Sequence, residues 1–360
     1  MIRFIIKRLF YGLAVVLGVI TLIFVLFNVL PGDPARMMLG QRADMASVEA
    51  INKDLGRDKP LLTQYFNYLN DLSPVSIHNV IDNKSYWYLN PEKYEPYTVL
   101  FKISKENAIV FKYPYMRRSY QSKRKVTEIL ANAFPATALL AFVAMIFAFV
   151  VGTAIGTLAA IYKNSILDKF SLVISVLGIS VPSFFAAIVI AWVFAFVLAD
   201  YTGLNMFGSM YTIDDFGEGE YIDLKNLILP AITLGIRPLA VIVQLMRSSM
   251  IDVLSQDYIR TARAKGLSFY RVVTRHAFKN ALNPVITAAS GWLASLLAGA
   301  VFIEYVFDWK GMGLAMVNGL EKYDFPVVMG GVLSISIILI VINIMVDISY
   351  ALIDPRVKLQ

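Results

Sequence analysis

Ile129-Leu-Ala-Asn-Ala-Phe-Pro-Ala-Thr-Ala-Leu-Leu-Ala-Phe-Val-Ala-Met-Ile-Phe-Ala-Phe-Val-Val-Gly-Thr-Ala-Ile-Gly-Thr-Leu-Ala-Ala-Ile-Tyr162 runs for 34 residues without a charged side chain. A helix crosses the bilayer core with about 20 apolar residues, so this stretch reads as a membrane span. Five more stretches read the same way: Leu9–Leu30, Phe170–Ala199, Asn226–Met246, Ala281–Ile303 and Phe325–Val346. Only Arg237 interrupts the fourth in chain order. The whole chain agrees, being 58% apolar and 16% charged, with a mean hydropathy of +0.62. Soluble domains are about 45–50% apolar and about 25% charged. An ordinary soluble enzyme and a disordered chain are both excluded. The chain has no cysteine and two distant histidines, His78 and His276, so thiolate sites and histidine ligand clusters are excluded too.

The first span does not resemble a cleavable leader. Its apolar run is longer than the usual ~7–15 residues, and Asn28-Val-Leu-Pro-Gly-Asp33 follows as a turn. Lys and Arg near span ends set orientation. They occur at Arg3, Lys7 and Arg8, at Lys163 and Lys169, and at Arg247, Arg260, Arg263, Lys265, Arg271, Arg275 and Lys279. The connection after span three instead carries Asp200, Asp214, Asp215, Glu218, Glu220 and Asp223 against Lys225. The expectation is six transmembrane helices with both termini and the 247–283 loop cytoplasmic. The net charge of +7 is then loop bias, not a nucleic-acid footprint. The cationic residues Arg117–Lys125 run against this orientation, but long segments translocate largely regardless of charge.

The expected organisation is residues 1–30 as N-terminus and first helix, 31–128 external, 129–353 the transmembrane core, and 354–360 a cytoplasmic tail. The external segment is aromatic-rich, with Tyr65, Phe66, Tyr68, Tyr86, Trp87, Tyr88, Tyr94, Tyr97 and Phe101. That density suits a small folded module. Alternation between Thr98 and Tyr113 points to strands.

The densest functional pattern lies in Arg247–Pro284. Met250, Val253 and Leu254, then Tyr258, Ala262 and Lys265, recur at helical spacing and stop at Gly266. Glycine suits the left-handed position after a helix end, and Arg263 and Lys265 favour the helix dipole. Leu267–Ala281 reads as a second helix, and Pro284 opens span five. Ala262 and Ala264 allow close approach of another surface. The residues alone leave two readings open, a docking helix and an amphipathic helix lying on the membrane.

The sequence carries no G-x-x-x-x-G-K-[ST], H-E-x-x-H or G-x-S-x-G pattern. The expectation is no catalytic residue, no cofactor and no metal. Arg237 and Asp347 are the ionisable groups inside apolar runs. Arg237, followed by Pro238, is the candidate for a polar pathway, because intramembrane charges usually serve function.

Asp257-Tyr-Ile-Arg-Thr-Ala-Arg-Ala-Lys-Gly-Leu267, with Arg275-His-Ala and Asn280-Ala-Leu-Asn-Pro284, resembles the EAA loop of bacterial ABC importer permeases. It is the version of the dipeptide/oligopeptide/nickel branch. Leu30-Pro-Gly-Asp-Pro34, Leu55-Gly-Arg-Asp-Lys-Pro60, Pro135-Ala-Thr137, Ser180-Val-Pro-Ser-Phe184, Arg247-Ser-Ser-Met250, Glu304-Tyr-Val-Phe307 with Gly311-Met-Gly313, and Asp354-Pro-Arg356 are similar to the same branch. Arg260 stands where the general loop has Glu, as is usual in the peptide branch. About 71–114 reads as an insertion relative to the shorter family connection.

The resemblance implies an all-α multi-pass permease of the ABC importer fold in the bacterial inner membrane, with an enlarged external segment. It implies a non-enzymatic subunit moving di- or oligopeptides. Its partners would be a homologous second permease, two ATPase subunits that bind the ATP, an external substrate-binding protein and the lipid bilayer. The 252–266 loop helix would couple to an ATPase subunit through Asp257, Tyr258, Thr261, Ala262, Arg263, Ala264, Lys265 and Gly266. A nickel or other small-solute importer of the same branch is the alternative, and a secondary transporter or channel is the rival of another class.

Overall fold

The computed structural model describes residues 2–28, 59–83, 85, 87–213 and 219–353. The motifs at Leu30–Pro34 and Leu55–Asp58, the acidic Asp214, Asp215 and Glu218, and the tail from Asp354 lie outside the described residues. In chain order the helices are α1 (Ile2–Asn28), α2 (Leu61–Leu72), α3 (Pro91–Tyr94), α4 (Val126–Ile161), α5 (Ile166–Ser180), α6 (Ser183–Trp192), α7 (Ala199–Thr202), α8 (Lys225–Leu254), α9 (Asp257–Ala264), α10 (Phe269–Arg271), α11 (Phe278–Phe307), α12 (Met312–Glu321) and α13 (Phe325–Ile353). Two π-helical stretches, Val193–Val197 and Val272–Ala277, extend α6 and join α10 to α11.

Five stretches among the described residues are long and apolar enough to cross a bilayer: Ile6–Phe27, Val126–Ile161, Lys225–Leu254, Phe269–Phe307 and Phe325–Ile348. α5 and Ser183–Val197 meet that test only as a pair, bent by 113°; counted together they make a sixth span. The uncharged run 170–199 is therefore not one straight helix. Proline disfavours helical backbone at the residue before it, and Val181, before Pro182, is extended at φ −73°, ψ 129°. The chain restarts as α6 at Ser183. Pro284 has the opposite outcome: it sits inside α11 and does not open the span, which begins at Phe269. A missing N–H costs one ladder bond, and the long helix tolerates it.

The chain forms two compact units. One comprises Met1–Ile5, Ala133–Leu314 and Ile338–Gln360. Its core gathers Leu140, Ala144 and Ala148 of α4, Ile242, Met246 and Met250 of α8, and Ala281, Val285, Ala300 and Ile303 of α11. α4 and α8 approach closely through glycines. A Cβ on Gly156 would lie 2.7 Å from the Val243 carbonyl oxygen and 2.8 Å from Met246 Cβ, and one on Gly152 would lie 2.8 Å from Ile242. Small residues four apart let membrane helices gain dispersion contacts that larger ones would prevent.

The other unit comprises Ile6–Asn132 and Ala315–Ile337. Ile20, Ile23 and Phe24 of α1 share a core with Tyr68 and Leu72 of α2 and with Met329 and Leu333 of α13. The compact units thus cut across the expected boundary at 128, because the first span packs with the segment that follows it. That segment holds a three-stranded antiparallel sheet in the order β1 (Val75–Asn79), β3 (Asn107–Lys112), β2 (Tyr97–Lys102). Ile77 faces Ile109 across β1 and β3, and Thr98 faces Phe111 across β2 and β3. A second, two-stranded sheet, β4 (Tyr211–Ile213) with β5 (Glu220–Ile222), follows α7.

Under the three-stranded sheet lies a buried polar cluster. Lys112, 2% exposed, donates from Nζ to the Asp71 carbonyl at 2.6 Å and stands 4.9 Å from the Tyr94 ring centroid. Tyr94 donates to Asp71 Oδ1 at 2.7 Å. His78, fully buried, contacts Ser76 Oγ at 3.0 Å and the Trp87 carbonyl at 3.2 Å. Burial, then the Lys112 charge, pushes its pKa down to about 4.

Replacing Gly156 with Leu overpacks the α4–α8 crossing and destabilises the protein by about 1–3 kcal/mol, read as a lower melting temperature in detergent. For the sheet, the unfolded chain protonates His78 near pH 6.5, whereas the folded one does so only near 4. Stability conferred by neutral His78 is complete above pH 6.5. It is lost as pH falls towards about 4, by up to roughly 3 kcal/mol. Exchange protection of β1 and β3 amides, corrected for intrinsic rates, should fall across that window in the native protein and stay flat in His78→Phe.

Candidate functional site

The 247–284 segment folds into a short helix between two long ones. α8 continues to Leu254, the chain breaks at Ser255 and Gln256, and α9 starts at Asp257. The single helix expected over 252–266 is thus two pieces. Ser255 takes its hydroxyl back to the Asp252 carbonyl at 2.7 Å, the kind of local bond that competes with helix continuation.

α9 ends as expected, at glycine. Gly266 sits at φ +77°, the left-handed region that costs glycine least. Its N–H reaches the Arg263 carbonyl at 2.9 Å, and the Leu267 N–H reaches the Ala262 carbonyl at 3.4 Å. These two bonds make a Schellman closure. Arg263 lies over the Phe269 ring, 5.9 Å from its centroid.

Which face of α9 is buried differs from the expectation. Ile259, fully buried, and Ala262, 7% exposed, join the core of the first unit. Tyr258, Arg260, Thr261, Arg263, Ala264, Lys265 and Gly266 are exposed, as is Asp257. Ala262 is therefore small because it packs against its own chain, and only Ala264 offers a small side chain outward. Ile259 was legible in the sequence as the apolar partner three residues before Ala262. Tyr258 is held from outside: Asn280 Nδ2 donates to its Oη at 3.0 Å. Asp257 accepts from Arg260 Nη1 at 3.4 Å, both exposed. Such a pair contributes little stability.

Just upstream, Arg247 of α8 grips Asp168 of α5. Nη2 donates to Oδ2 at 2.9 Å, and Nε pairs with Oδ1. The Asp168 side chain is 3% exposed and that of Arg247 20%. Asp168 also accepts from the Asn164 N–H at 2.8 Å, and Ser165 caps the same helix by accepting from the Asp168 N–H. Fork-on-carboxylate pairing is directional as well as strong. It fixes the start of α5 against the end of α8 that leads into α9. Charge counting could not find Asp168, because a lone acid beside Lys163 and Lys169 looks like a solvated one.

At the far end of the same unit, fully buried Glu304 of α11 ties two other motifs together. Thr137 of α4 donates to Oε1 at 2.6 Å and the Leu314 N–H to Oε2 at 3.1 Å. The Met312 N–H donates to Thr137 Oγ1 at 2.8 Å. A Cβ on Gly311 would overlap the carboxyl group. Trp309 donates from Nε1 to the Ala136 carbonyl at 2.9 Å.

Arg237 lines a cavity of about 80 Å³ with Val181, Ser183, Thr233, Trp292 and Ser295. Val181 and Ser183 flank the break between α5 and α6. Arg237 is exposed in the single chain.

Family models match over most of the chain. Residues 152–359 match the binding-protein-dependent transport system inner membrane component, and residues 1–82 match its N-terminal counterpart. A putative peptide permease protein of Brucella suis is 33% identical over 362 residues, covering 99% of each chain. A di/tripeptide transport system permease protein of Pseudomonas aeruginosa is 33% identical over 375 residues, covering 100% of each. A dipeptide transport system permease protein of Escherichia coli K12 is 33% identical over 375 residues, covering 99% of each.

Cutting the Arg247–Asp168 pair should be costly on both sides. Asp168→Leu leaves a half-buried guanidinium unpaired and should cost about 1–3 kcal/mol. Arg247→Leu should cost a similar amount. The double substitution Asp168→Leu with Arg247→Leu should cost less than the two single losses added together. Melting temperatures of the four proteins decide it, and strict additivity would mean the pair does not interact.

Proposed function

The chain belongs to the binding-protein-dependent transport system inner membrane components, and from that premise we propose that it is one permease subunit of an ATP-driven peptide importer. It forms half of the pathway, and a homologous second permease forms the other half. Two ATPase subunits bind and hydrolyse the ATP beneath it. A substrate-binding protein delivers di- or oligopeptides from outside, with 71–114 in the external segment. Support for peptides comes from the names of full-length relatives at 33% identity.

The observation that carries the coupling role is the two-sidedness of α9. Ile259 and Ala262 root it in the core of its own unit, while Tyr258, Thr261, Ala264 and Lys265 face outward. A push on the outer face is passed to the end of α8, and through Arg247 and Asp168 to α5. Rigid packed elements of this kind carry coupling between sites. An amphipathic helix resting on lipid would instead turn its apolar residues outward. The cationic bias of the same loop supports a cytoplasmic location for it and for both termini.

Two measurements test this. With no native cysteine, single Thr212→Cys and Ser268→Cys proteins should label from opposite sides of intact cells; labelling of both from outside overturns the orientation. Ala264→Trp adds bulk on the outward face without touching the core. It should leave the permease pair in the membrane while ATPase co-purification and peptide uptake fall together, by at least about tenfold, the equivalent of about 1.4 kcal/mol. Gly266→Val should do the same by straining the turn. Normal co-purification and uptake in both proteins would overturn the coupling role.

A further inference from the structure

Arg237 stands 12 residues into α8, whose range is Lys225–Leu254. At 1.5 Å per residue that places it about 18 Å from the helix start, deep in the apolar part of the span. A cation at such depth is expensive unless something compensates it. The other buried or half-buried charges of this unit have partners: Arg247 has Asp168, and Glu304 has Thr137 and the Leu314 amide. Arg237 makes no hydrogen bond or ion pair among the described residues. It opens instead onto the cavity at the α5–α6 break, beside the hydroxyls of Ser183 and Ser295 and the indole of Trp292. The lining contains no carboxylate. The hydroxyl of Thr233 is already engaged with the Leu229 carbonyl at 2.7 Å.

We propose that Arg237 is a substrate-recognition residue, and that the cavity at the α5–α6 break holds the terminal carboxylate of a peptide in transit. The proposal rests on the peptide-importer reading. The guanidinium presents a planar fork that matches a carboxylate with two parallel hydrogen bonds. The small cavity admits a carboxylate and not a whole peptide, so the rest of the substrate extends away from it and side-chain identity matters little there. That arrangement fits a carrier of peptides of varied sequence. Gly178 also lines the cavity, and a Cβ there would meet Ile236 at 3.1 Å.

The test is uptake of dialanine and of dialanine amide by the complete complex in proteoliposomes, with native protein, Arg237→Gln and Arg237→Lys. The binding protein contributes the same preference in every case, so a change in the dialanine-to-amide rate ratio reports on Arg237. The ratio should fall at least about tenfold in Arg237→Gln and about threefold in Arg237→Lys, which keeps the charge and loses the fork. Equal loss of both substrates would mean that Arg237 pairs with a lipid or subunit anion, and would overturn the proposal, as would an unchanged ratio. Where Arg237→Gln fails to assemble, the Arg237→Lys ratio decides on the same terms. Native complex that imports neither peptide overturns the peptide reading itself, a result distinguishable from an unaltered ratio.

Discussion

A polar group inside an apolar bundle must find its partners within the protein, because the bilayer core supplies none. Glu304 is where the larger unit meets that constraint most fully. Its carboxyl group is sealed from solvent, yet it accepts from a hydroxyl on α4 and an amide at the start of α12. The geometry forces the surrounding sequence: Thr137 supplies the hydroxyl, and Gly311 leaves the room. α11 ends immediately after, at Phe307, with Asp308 in the left-handed region. One buried side chain thus sets where a long helix stops and how the next begins.

The same constraint acts at the opposite end of α8. There Arg247 and Asp168 satisfy each other, and the pair also fixes α5 relative to α8. The two sites differ in consequence. The Glu304 network closes a turn, while the Arg247–Asp168 pair stands between the short α9 and the bent α5–α6 pair. α9 follows the end of α8 that carries Arg247, and the ion pair ties that end to the start of α5.

The segment between α1 and α4 solves a different problem. A sheet of three short strands has little core of its own, and small domains are hard to stabilise. It compensates with buried polar contacts that are nearly all satisfied, centred on Lys112, Tyr94 and Asp71. The Asp324 carboxylate does similar work in the same unit, accepting from Ser119 and, at 2.8 Å, from the Tyr120 N–H. It anchors the cationic approach to α4.

The spans were legible in the sequence because the bilayer imposes long uncharged runs. Gly266 was legible because a left-handed cap strongly favours one residue. The strands at 97–102 and 107–112 were foreshadowed by alternation, a local property. Other features depend on residues distant in the chain. Nothing near Pro182 says that it breaks a helix while Pro284 does not; the surrounding packing decides. Thr137 and Glu304 are 167 residues apart, and Asp168 and Arg247 are 79 apart, so their pairing exists only after the helices assemble. Ala262 illustrates the limit most clearly. Its size was visible, but whether it spares room for a partner or for Ile259's own core was a question of which way α9 faces. Periodicity fixes which residues share a face, and only tertiary contacts choose the face that is buried.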